Sequence, residues 1–124
     1  MPDATTTVAV LRQAMARFVA ERDWEQFHSP KNLVMGLSVE AAELAEHFLW
    51  IDNEASRRVT DDPAAREAVA DEMADVALYL LALCNTLGIE LSDAIEAKLA
   101  KTALKYPVEL CRGRYKVGPA PENI

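Results

Sequence analysis

The sequence predicts an all-α protein that folds as a four-helix bundle. Three observations favour this fold class. Alanine and leucine are abundant while β-branched residues are sparse, glycine and proline number only 4 and 6, and apolar residues recur at helical spacing. A length of 124 residues, 51% of them apolar, suits one domain with its own core. We therefore expect residues 1–124 to form a single domain, with residues 106–124 as an extended C-terminal arm.

The first two helices are predicted from the spacing of apolar residues. The first covers about Thr6–Arg22, where Leu11 and Met15 belong to a helical apolar stripe that threonines precede as caps. The second covers about Asn32–Ile51, with Pro30 before it as a stop or restart signal. Because the second helix is apolar nearly all round, we expect it to be buried on most sides.

The third and fourth helices carry clear terminal signals. Asp62 is a cap candidate before a third helix over Pro63–Leu87, and Gly88 follows as a residue suited to end it. Ser92 is the expected cap of a fourth helix that reaches about Lys105. Four helices joined by short loops are typical of an antiparallel bundle.

The charge and the apolar pattern exclude several functions. Acids outnumber bases by 20 to 13, which gives a formal charge of −7 and argues against both nucleic acid and an anionic membrane as partner. The longest apolar run, Val76–Cys84, falls well short of the roughly 20 residues that span a bilayer. The N-terminus lacks the features of a signal peptide. We expect a cytoplasmic protein with reduced cysteines, Cys84 being buried.

Four carboxylates lie where acids are unexpected. Glu40 and Glu43 are three residues apart on the most apolar helix, and Glu72 and Asp75 repeat that spacing on the third helix. If the two helices face each other, the four groups converge, which repulsion and desolvation make unfavourable without a cation. Oxygen ligands alone favour Mg²⁺, Mn²⁺ or Ca²⁺ over Zn²⁺. The two pairs therefore predict a metal site.

Other interpretations of the acids stay open. Acids on helices usually form a solvated face, and one E-x-x-E pair would be weak support for a metal. The neighbouring acids Glu46 and Asp71 are expected either to be solvated or to contact the metal ligands without binding the metal themselves. His47 lies four residues after Glu43, so the E-x-x-H pattern of di-iron bundles is missing. A non-catalytic helical interaction module and, less favoured, a di-iron protein remain the alternatives to an enzyme.

Aromatic residues follow the acids on the same helical stripes. Trp50 lies seven residues after Glu43, and Tyr79 lies four after Asp75. A flat group could sit between such rings, although both are also suited to an ordinary core. His28, in a polar loop, is either a substrate contact or a surface residue.

Basic residues on the fourth helix form one stripe. Lys98, Lys101 and Lys105 are spaced i, i+3 and i+7, which could meet an anionic substrate bridged to Mg²⁺ or could be a plain solvated face. Glycine-rich phosphate loops and Ser-His-Asp patterns are absent from the sequence.

Taken together, these residues resemble the MazG-like superfamily of all-α nucleoside triphosphate pyrophosphohydrolases, and within it the dCTP pyrophosphatase branch. The superfamily signature is E-x-x-E, a spacer and E-x-x-D. The resemblance covers roughly Leu11–Lys116, and it rests on these segments: Glu40-Ala-Ala-Glu43, Glu72-Met-Ala-Asp75 after 28 intervening residues, Arg22-Asp-Trp-Glu-Gln-Phe-His28, Asp75-Val-Ala-Leu-Tyr79 and Lys105-Tyr106-Pro107-Val108.

The resemblance implies hydrolysis of a (deoxy)nucleoside triphosphate, dCTP or a modified dCTP among the candidates, to the monophosphate and pyrophosphate with Mg²⁺, or Mn²⁺ in its place. It implies that Glu40, Glu43, Glu72 and Asp75 are the metal ligands. Either Glu43 or Glu46 is expected to act as general base. The predicted substrate-binding residues are Trp24, His28, Trp50, Tyr79, Lys98, Lys101, Thr102, Lys105 and Tyr106.

Two further expectations come from the resemblance. Members dimerise, often into tetramers, so we expect a homodimer or homotetramer. The chain departs from the dCTP branch at Met15, Thr86 and Thr102, where that branch carries His, Arg and Asn. The preferred nucleotide is therefore left open.

Overall fold

A computed structural model describes residues 1–114 of the chain. Every regular element in that range is helical, which confirms the all-α class. The chain divides into two compact units, Met1–Gly88 and a second unit that begins at Ile89. Each unit is described by itself below.

The first two long helices begin at side-chain caps. Helix α1 spans Val8–Glu21, and the Thr7 hydroxyl accepts a hydrogen bond from a backbone N–H of its first turn at 3.2 Å. Helix α2 spans Pro30–Glu46, with the Ser29 hydroxyl in the same role at 3.2 Å. The predicted start of α2 at Asn32 was therefore two residues late. Pro30 occupies the first turn, where its missing N–H costs nothing.

Helix α2 also ends earlier than predicted, at Glu46 rather than Ile51. Beyond Glu46 the N–H groups of His47, Phe48 and Ile51 bond to carbonyls three residues back, that of Phe48 at 2.9 Å, and these bonds close the helix in a tight turn. Asp52 then caps a short helix α3, Asn53–Ser56. The apolar residues after Glu46 therefore lie in a turn, not on the stripe of α2.

Helix α4 spans Pro63–Leu87, as predicted. The Asp62 carboxylate accepts a hydrogen bond from the N–H of Ala65 at 3.2 Å. At the other end Gly88 adopts a φ of 66°, a left-handed conformation that glycine reaches without strain. Both terminal signals in the sequence were interpreted correctly.

The second unit contains helices α5, Leu91–Lys105, and α6, Val108–Cys111. The predicted end of α5 is confirmed, but its predicted cap is wrong. The cap position is Glu90, which makes no side-chain cap hydrogen bond, and Ser92 lies inside the helix. Helix α6 also replaces part of the predicted extended arm, whose residues 115–124 lie outside the described range.

Helix α4 is the centre of the first unit. It packs most extensively against α2 and then against α1. The buried apolar residues among residues 1–114 come from these three helices: Val19, Leu33, Val69, Leu81, Ala82 and Cys84. The predicted burial of Cys84 is confirmed.

The expectation that α2 would be buried on most sides is wrong for the isolated chain. Within Pro30–Glu46, Leu33 alone is buried. The side chains of Val34, Met35 and Val39 are 47%, 60% and 55% exposed. The reason is that α2 meets α4 along one side only, so the rest of its apolar surface has no cover in this unit.

Helix length and apolar content also bear on membrane insertion. No single helix within residues 1–114 is long and apolar enough to cross a bilayer, although α4 and α5 taken together as a broken span pass by length and composition.

A polar link joins α1 to the end of α4. The Arg12 Nε donates to Asn85 Oδ1 at 2.9 Å, and Asn85 Nδ2 donates back to the Arg12 carbonyl at 3.0 Å. A second guanidinium nitrogen of Arg12 donates to the carbonyl of Cys84 at 3.2 Å. Because these groups are partly buried, each bond satisfies a polar atom that water reaches poorly.

We expect Asn85→Ala to destabilise the first unit by about 1–3 kcal/mol, since it leaves Arg12 groups unsatisfied. Urea unfolding followed by circular dichroism measures this change. The control is Arg58→Ala, which removes an exposed 3.1 Å ion pair with Glu54 and should cost at most about 0.5 kcal/mol. Equal effects of the two variants would show that the Arg12–Asn85 link does not stabilise the fold.

Candidate functional site

The packing of α2 against α4 brings three predicted metal ligands together. Single carboxylate oxygens of Glu40, Glu43 and Glu72 all lie within 4.8 Å of one another. Glu40 and Glu72 are half-buried, while Glu43 is exposed. We refer to these three residues as the carboxylate cluster. An E-x-x-E spacing puts two acids on one face of α2, and only the contact with α4 supplies the third.

Two oxygens of the carboxylate cluster have no polar partner. Oε2 of Glu40 and Oε2 of Glu72 are buried and make no hydrogen bond within the described residues. A buried acceptor without a donor is unfavourable, and more so when it carries charge. A hard divalent cation such as Mg²⁺, Mn²⁺ or Ca²⁺ takes oxygen ligands of this kind. The residues present therefore fit a divalent cation.

The close approach of these carboxylates and their burial raise the pKa of Glu40 from 4.5 to about 7. Burial is the largest cause, and the neighbouring carboxylates of Glu43, Asp75 and Glu72 add to it because they surround Glu40 with negative charge. Without a cation, Glu40 therefore holds a proton up to near-neutral pH.

Asp75 lies next to the carboxylate cluster but outside it. Its charge acts on Glu40, and the two residues line the same cavity. Asp75 is half-buried one turn after Glu72 on α4. Of the four predicted ligands, the structure thus gathers three and leaves the fourth beside them.

A cavity of about 260 Å³ adjoins the carboxylates, and we call it the aromatic cavity. Three of the predicted substrate-binding residues, Trp24, His28 and Tyr79, line it. The remaining lining side chains are Met15, Phe18, Glu40, Asp75 and Leu78. Apolar and aromatic walls with a few polar groups at one end are typical of small-molecule sites.

Trp24 reaches the aromatic cavity through a local turn after α1. Asp23 has a φ of 52°, a left-handed conformation that aspartate tolerates better than most residues. The Trp24 ring then meets the Phe18 ring edge to face, with centroids 5.7 Å apart. The guanidinium of Arg22 covers Phe18 at 3.7 Å from its ring centroid. Phe18 carried no functional signal in the sequence, because its role depends on this turn.

A second cavity of about 340 Å³ shares Met15 and His28 with the aromatic cavity. Its other lining residues are Ala16, Val19, Glu25, Ala82, Asn85 and Thr86. The departures at Met15 and Thr86 pointed to this region, whereas nothing in the sequence singled out Glu25 or Asn85.

Several predicted site residues do not join the carboxylates. Trp50 is 91% exposed and lies beyond the end of α2, so the predicted helical stripe linking it to Glu43 is wrong. Glu46 and Asp71 are exposed, and neither belongs to the carboxylate cluster within the described residues. His47 is also outside that cluster.

The other predicted substrate residues belong to the second unit. Lys98 and Thr102 line a shallow apolar groove on α5 with Ala94, Ile95 and Leu99. Lys101 is exposed, and the Lys105 Nζ lies 5.3 Å from the Tyr106 ring centroid. Their contacts with substrate stay predictions.

A sequence profile of the MazG-like family matches residues 35–116, a range that includes all four predicted ligands. The chain belongs to the MazG-like family. The chain is also similar to a solved structure, a pyrophosphatase from Archaeoglobus fulgidus, at 36% identity and with a TM-score of 0.73 over 78% of this chain and 89% of that one.

This MazG-like chain is also similar to named relatives. It is 40% identical over 107 residues to dCTP pyrophosphatase 1 from Bos taurus, which is 86% of this chain and 63% of the relative. The human dCTP pyrophosphatase 1 is 39% identical over 106 residues, 86% of this chain and 62% of the relative. The chain therefore spans less than two thirds of the length of these relatives.

We expect the metal-free protein to lose stability as the pH rises from about 4.5 to 7. The folded state binds the Glu40 proton more tightly than the unfolded state, so stability is greatest below 4.5, falls across this window and is level above 7. Glu40→Gln should remove this part of the decline and raise the thermal midpoint at pH 8. Thermal unfolding in chelator at several pH values measures it.

The matched control for this pH dependence is Glu67→Gln, which changes an exposed acid on the same helix as Glu72. It should leave the slope of stability against pH as in the wild type. The assignment to Glu40 is wrong if Glu40→Gln retains the full decline.

Proposed function

We propose that the protein hydrolyses a nucleoside triphosphate to the nucleoside monophosphate and pyrophosphate. One observation carries the proposal: two buried carboxylate oxygens without partners lie beside a cavity with aromatic walls. Membership of the MazG-like family and similarity to proteins named dCTP pyrophosphatase 1 and pyrophosphatase support it. A cation site next to a cavity for a flat ring suits a nucleotide, whose phosphates and base need these two environments.

In this proposal the carboxylate cluster and Asp75 hold Mg²⁺, with Mn²⁺ as a substitute. When bound, the cation neutralises charge on the phosphate oxygens and orients the triphosphate. A cation held there would favour the ionised form of Glu40, because its positive charge would offset the burial and the neighbouring negative charges that raise the pKa of Glu40.

The reaction needs a base that takes a proton from water. Water forms a new bond to the α-phosphorus, the bond from that phosphorus to the bridging oxygen breaks, and pyrophosphate leaves with the electron pair. Glu43 is the favoured base because it is the exposed member of the carboxylate cluster. Glu46, one turn further along α2, is the alternative.

The aromatic cavity receives the base and sugar. Trp24 and Tyr79 supply ring faces for stacking, which is worth about 1–3 kcal/mol per base, and His28 supplies a polar contact at the cavity wall. The names of the relatives make dCTP or a modified dCTP the proposed substrate. Apart from Trp50, the remaining predicted substrate-binding residues belong to the second unit, and their contacts stay predictions from the resemblance: Lys98, Lys101, Thr102, Lys105 and Tyr106.

A homodimer or homotetramer is the proposed assembly. The isolated chain exposes many large apolar side chains, including Met35 and Val39 on α2 and Leu99 and Leu104 on α5. Met35 and Val39 are neighbours one turn apart on α2, and an exposed apolar patch on a helix is typical of a surface that another chain covers. Trp50, at 91% exposure, would find cover in such an assembly.

We expect Glu43→Gln and Asp75→Asn to lose Mg²⁺-dependent pyrophosphate release on the order of 100-fold or more, because each removes a charged ligand. Both variants should keep the wild-type helical circular dichroism. The measurement is product chromatography with a panel of triphosphates, where monophosphate and pyrophosphate must appear together.

Glu67→Gln is the control and should keep full activity. Unchanged turnover in either ligand variant would contradict the assignment. Diphosphate and inorganic phosphate as products would refute the proposed reaction. If no triphosphate is hydrolysed and Mg²⁺ does not raise the thermal midpoint, the non-catalytic helical module is the correct interpretation.

We expect light scattering on the protein eluting from a size-exclusion column to give twice or four times the chain mass of 13.7 kDa. Met35→Lys and Val39→Lys should shift it towards the monomer, since each would place an unpaired charge in an apolar interface. Glu67→Lys, at an exposed polar site on α4, is the control and should keep the wild-type mass. A monomeric wild type would contradict the proposed assembly.

A further inference from the structure

The ring of Tyr79 lies directly against the backbone of α2 at Gly36. A Cβ atom added to Gly36 would overlap Cε1 of Tyr79 and would lie 2.6 Å from Cζ and 3.0 Å from Cδ1. Real Cβ atoms essentially never approach other atoms so closely. Any other residue at position 36 would therefore force the ring or the helix to move.

This contact belongs to the same helix interface as the carboxylates. Gly36 lies one turn before Glu40 on α2, and Tyr79 lies one turn after Asp75 on α4. The Tyr79 ring also forms part of the wall of the aromatic cavity, together with Glu40 and Asp75. A displacement at Gly36 is thus transmitted to the cavity through one side chain.

Nothing else in α2 calls for a glycine at this position. Gly36 lies in the interior of a 17-residue helix, where glycine is less favourable than every residue except proline. Its φ is not positive, since the glycines with a positive φ in the described chain are Gly88 and Gly113. The close approach of Tyr79 is the feature that requires a missing side chain here.

We propose that Gly36 is a positioning residue, which seats the Tyr79 ring against the α2 backbone and so keeps the aromatic cavity open for the nucleotide base. The proposal rests on the proposed function, because it takes the aromatic cavity to be the base site. It adds a residue that touches neither the carboxylate cluster nor the substrate.

A methyl group at position 36 would move the ring rather than the helices. The Tyr79 hydroxyl makes no hydrogen bond within residues 1–114, and the ring borders about 260 Å³ of open space. Rotation about its two side-chain torsions is therefore available. Separating α2 from α4 would instead expose Leu33, the most deeply buried side chain. The ring must retreat by roughly 1 Å to restore ordinary contact.

The test is Gly36→Ala, assayed for pyrophosphate release and for Mn²⁺ binding. We expect the KM for the nucleotide to rise about tenfold, which corresponds to losing much of one stacking interaction. The kcat and the affinity for Mn²⁺ should stay within about twofold, because the carboxylate cluster keeps its geometry. Ser38→Ala, two residues along α2 at an exposed site, is the matched control and should change none of these values.

A double-mutant cycle with Tyr79→Ala separates positioning from a general effect on the helix. Without the ring, Gly36→Ala should have no further effect on KM and should raise the thermal midpoint, because alanine favours a helix. With the ring present, the same substitution should lower the midpoint. The double variant also keeps the test valid if Gly36→Ala alone folds poorly.

Three results would overturn the inference: an unchanged KM in Gly36→Ala, a loss of Mn²⁺ binding that shows separated helices, or an equal rise in KM with and without the Tyr79 ring. These are distinct from failure of the proposed function. In that case the wild type itself would release no pyrophosphate from any triphosphate.

Discussion

The contact between α2 and α4 is the constraint on which the rest of the molecule depends. It buries Leu33, and it also presses Glu40, Glu43 and Glu72 to within 4.8 Å of one another. Apolar packing thus holds together charges that would otherwise separate. The raised pKa of Glu40 and the two unsatisfied oxygens are consequences of that conflict. A bound divalent cation would resolve this conflict, because its charge would offset the repulsion among the three carboxylates.

The same contact shapes the aromatic cavity. Tyr79 can form its wall only because Gly36 leaves room for the ring on the facing helix. On the other side, Phe18 and the left-handed Asp23 bring Trp24 to the cavity from the turn after α1. Residues from α1, α2, α4 and the turn after α1 therefore meet around one space next to the carboxylates. In the proposed function, this arrangement would give a flat ring and a charged group of one ligand different environments.

Because the buried core is small, many large apolar side chains remain exposed on the isolated chain. Only six side chains among residues 1–114 form the buried apolar set, and α2 contributes just one of them. In the proposed homodimer or homotetramer, a chain of 124 residues with so little enclosed surface would gain further burial from association. The short α2, which ends at Glu46, leaves Trp50 in a turn at the surface. Whether Trp50 contacts substrate therefore depends on what covers that surface.

The sequence by itself determined the all-α class, both ends of α4 and the pairing of acids at helical spacing, because caps, proline, glycine and periodicity act within a few residues. It also pointed to the MazG-like family through its acidic motifs. Only the tertiary structure decided the early end of α2, the uncapped start of α5, the position of Asp75 beside rather than within the carboxylate cluster, and the contact of Gly36 with Tyr79. The position of Asp75 and the contact of Gly36 with Tyr79 depend on residues far apart in the chain meeting across a packed interface, and no local pattern encodes the distance between them. The two helix ends lie within a run of residues whose apolar spacing and cap candidates fit more than one boundary.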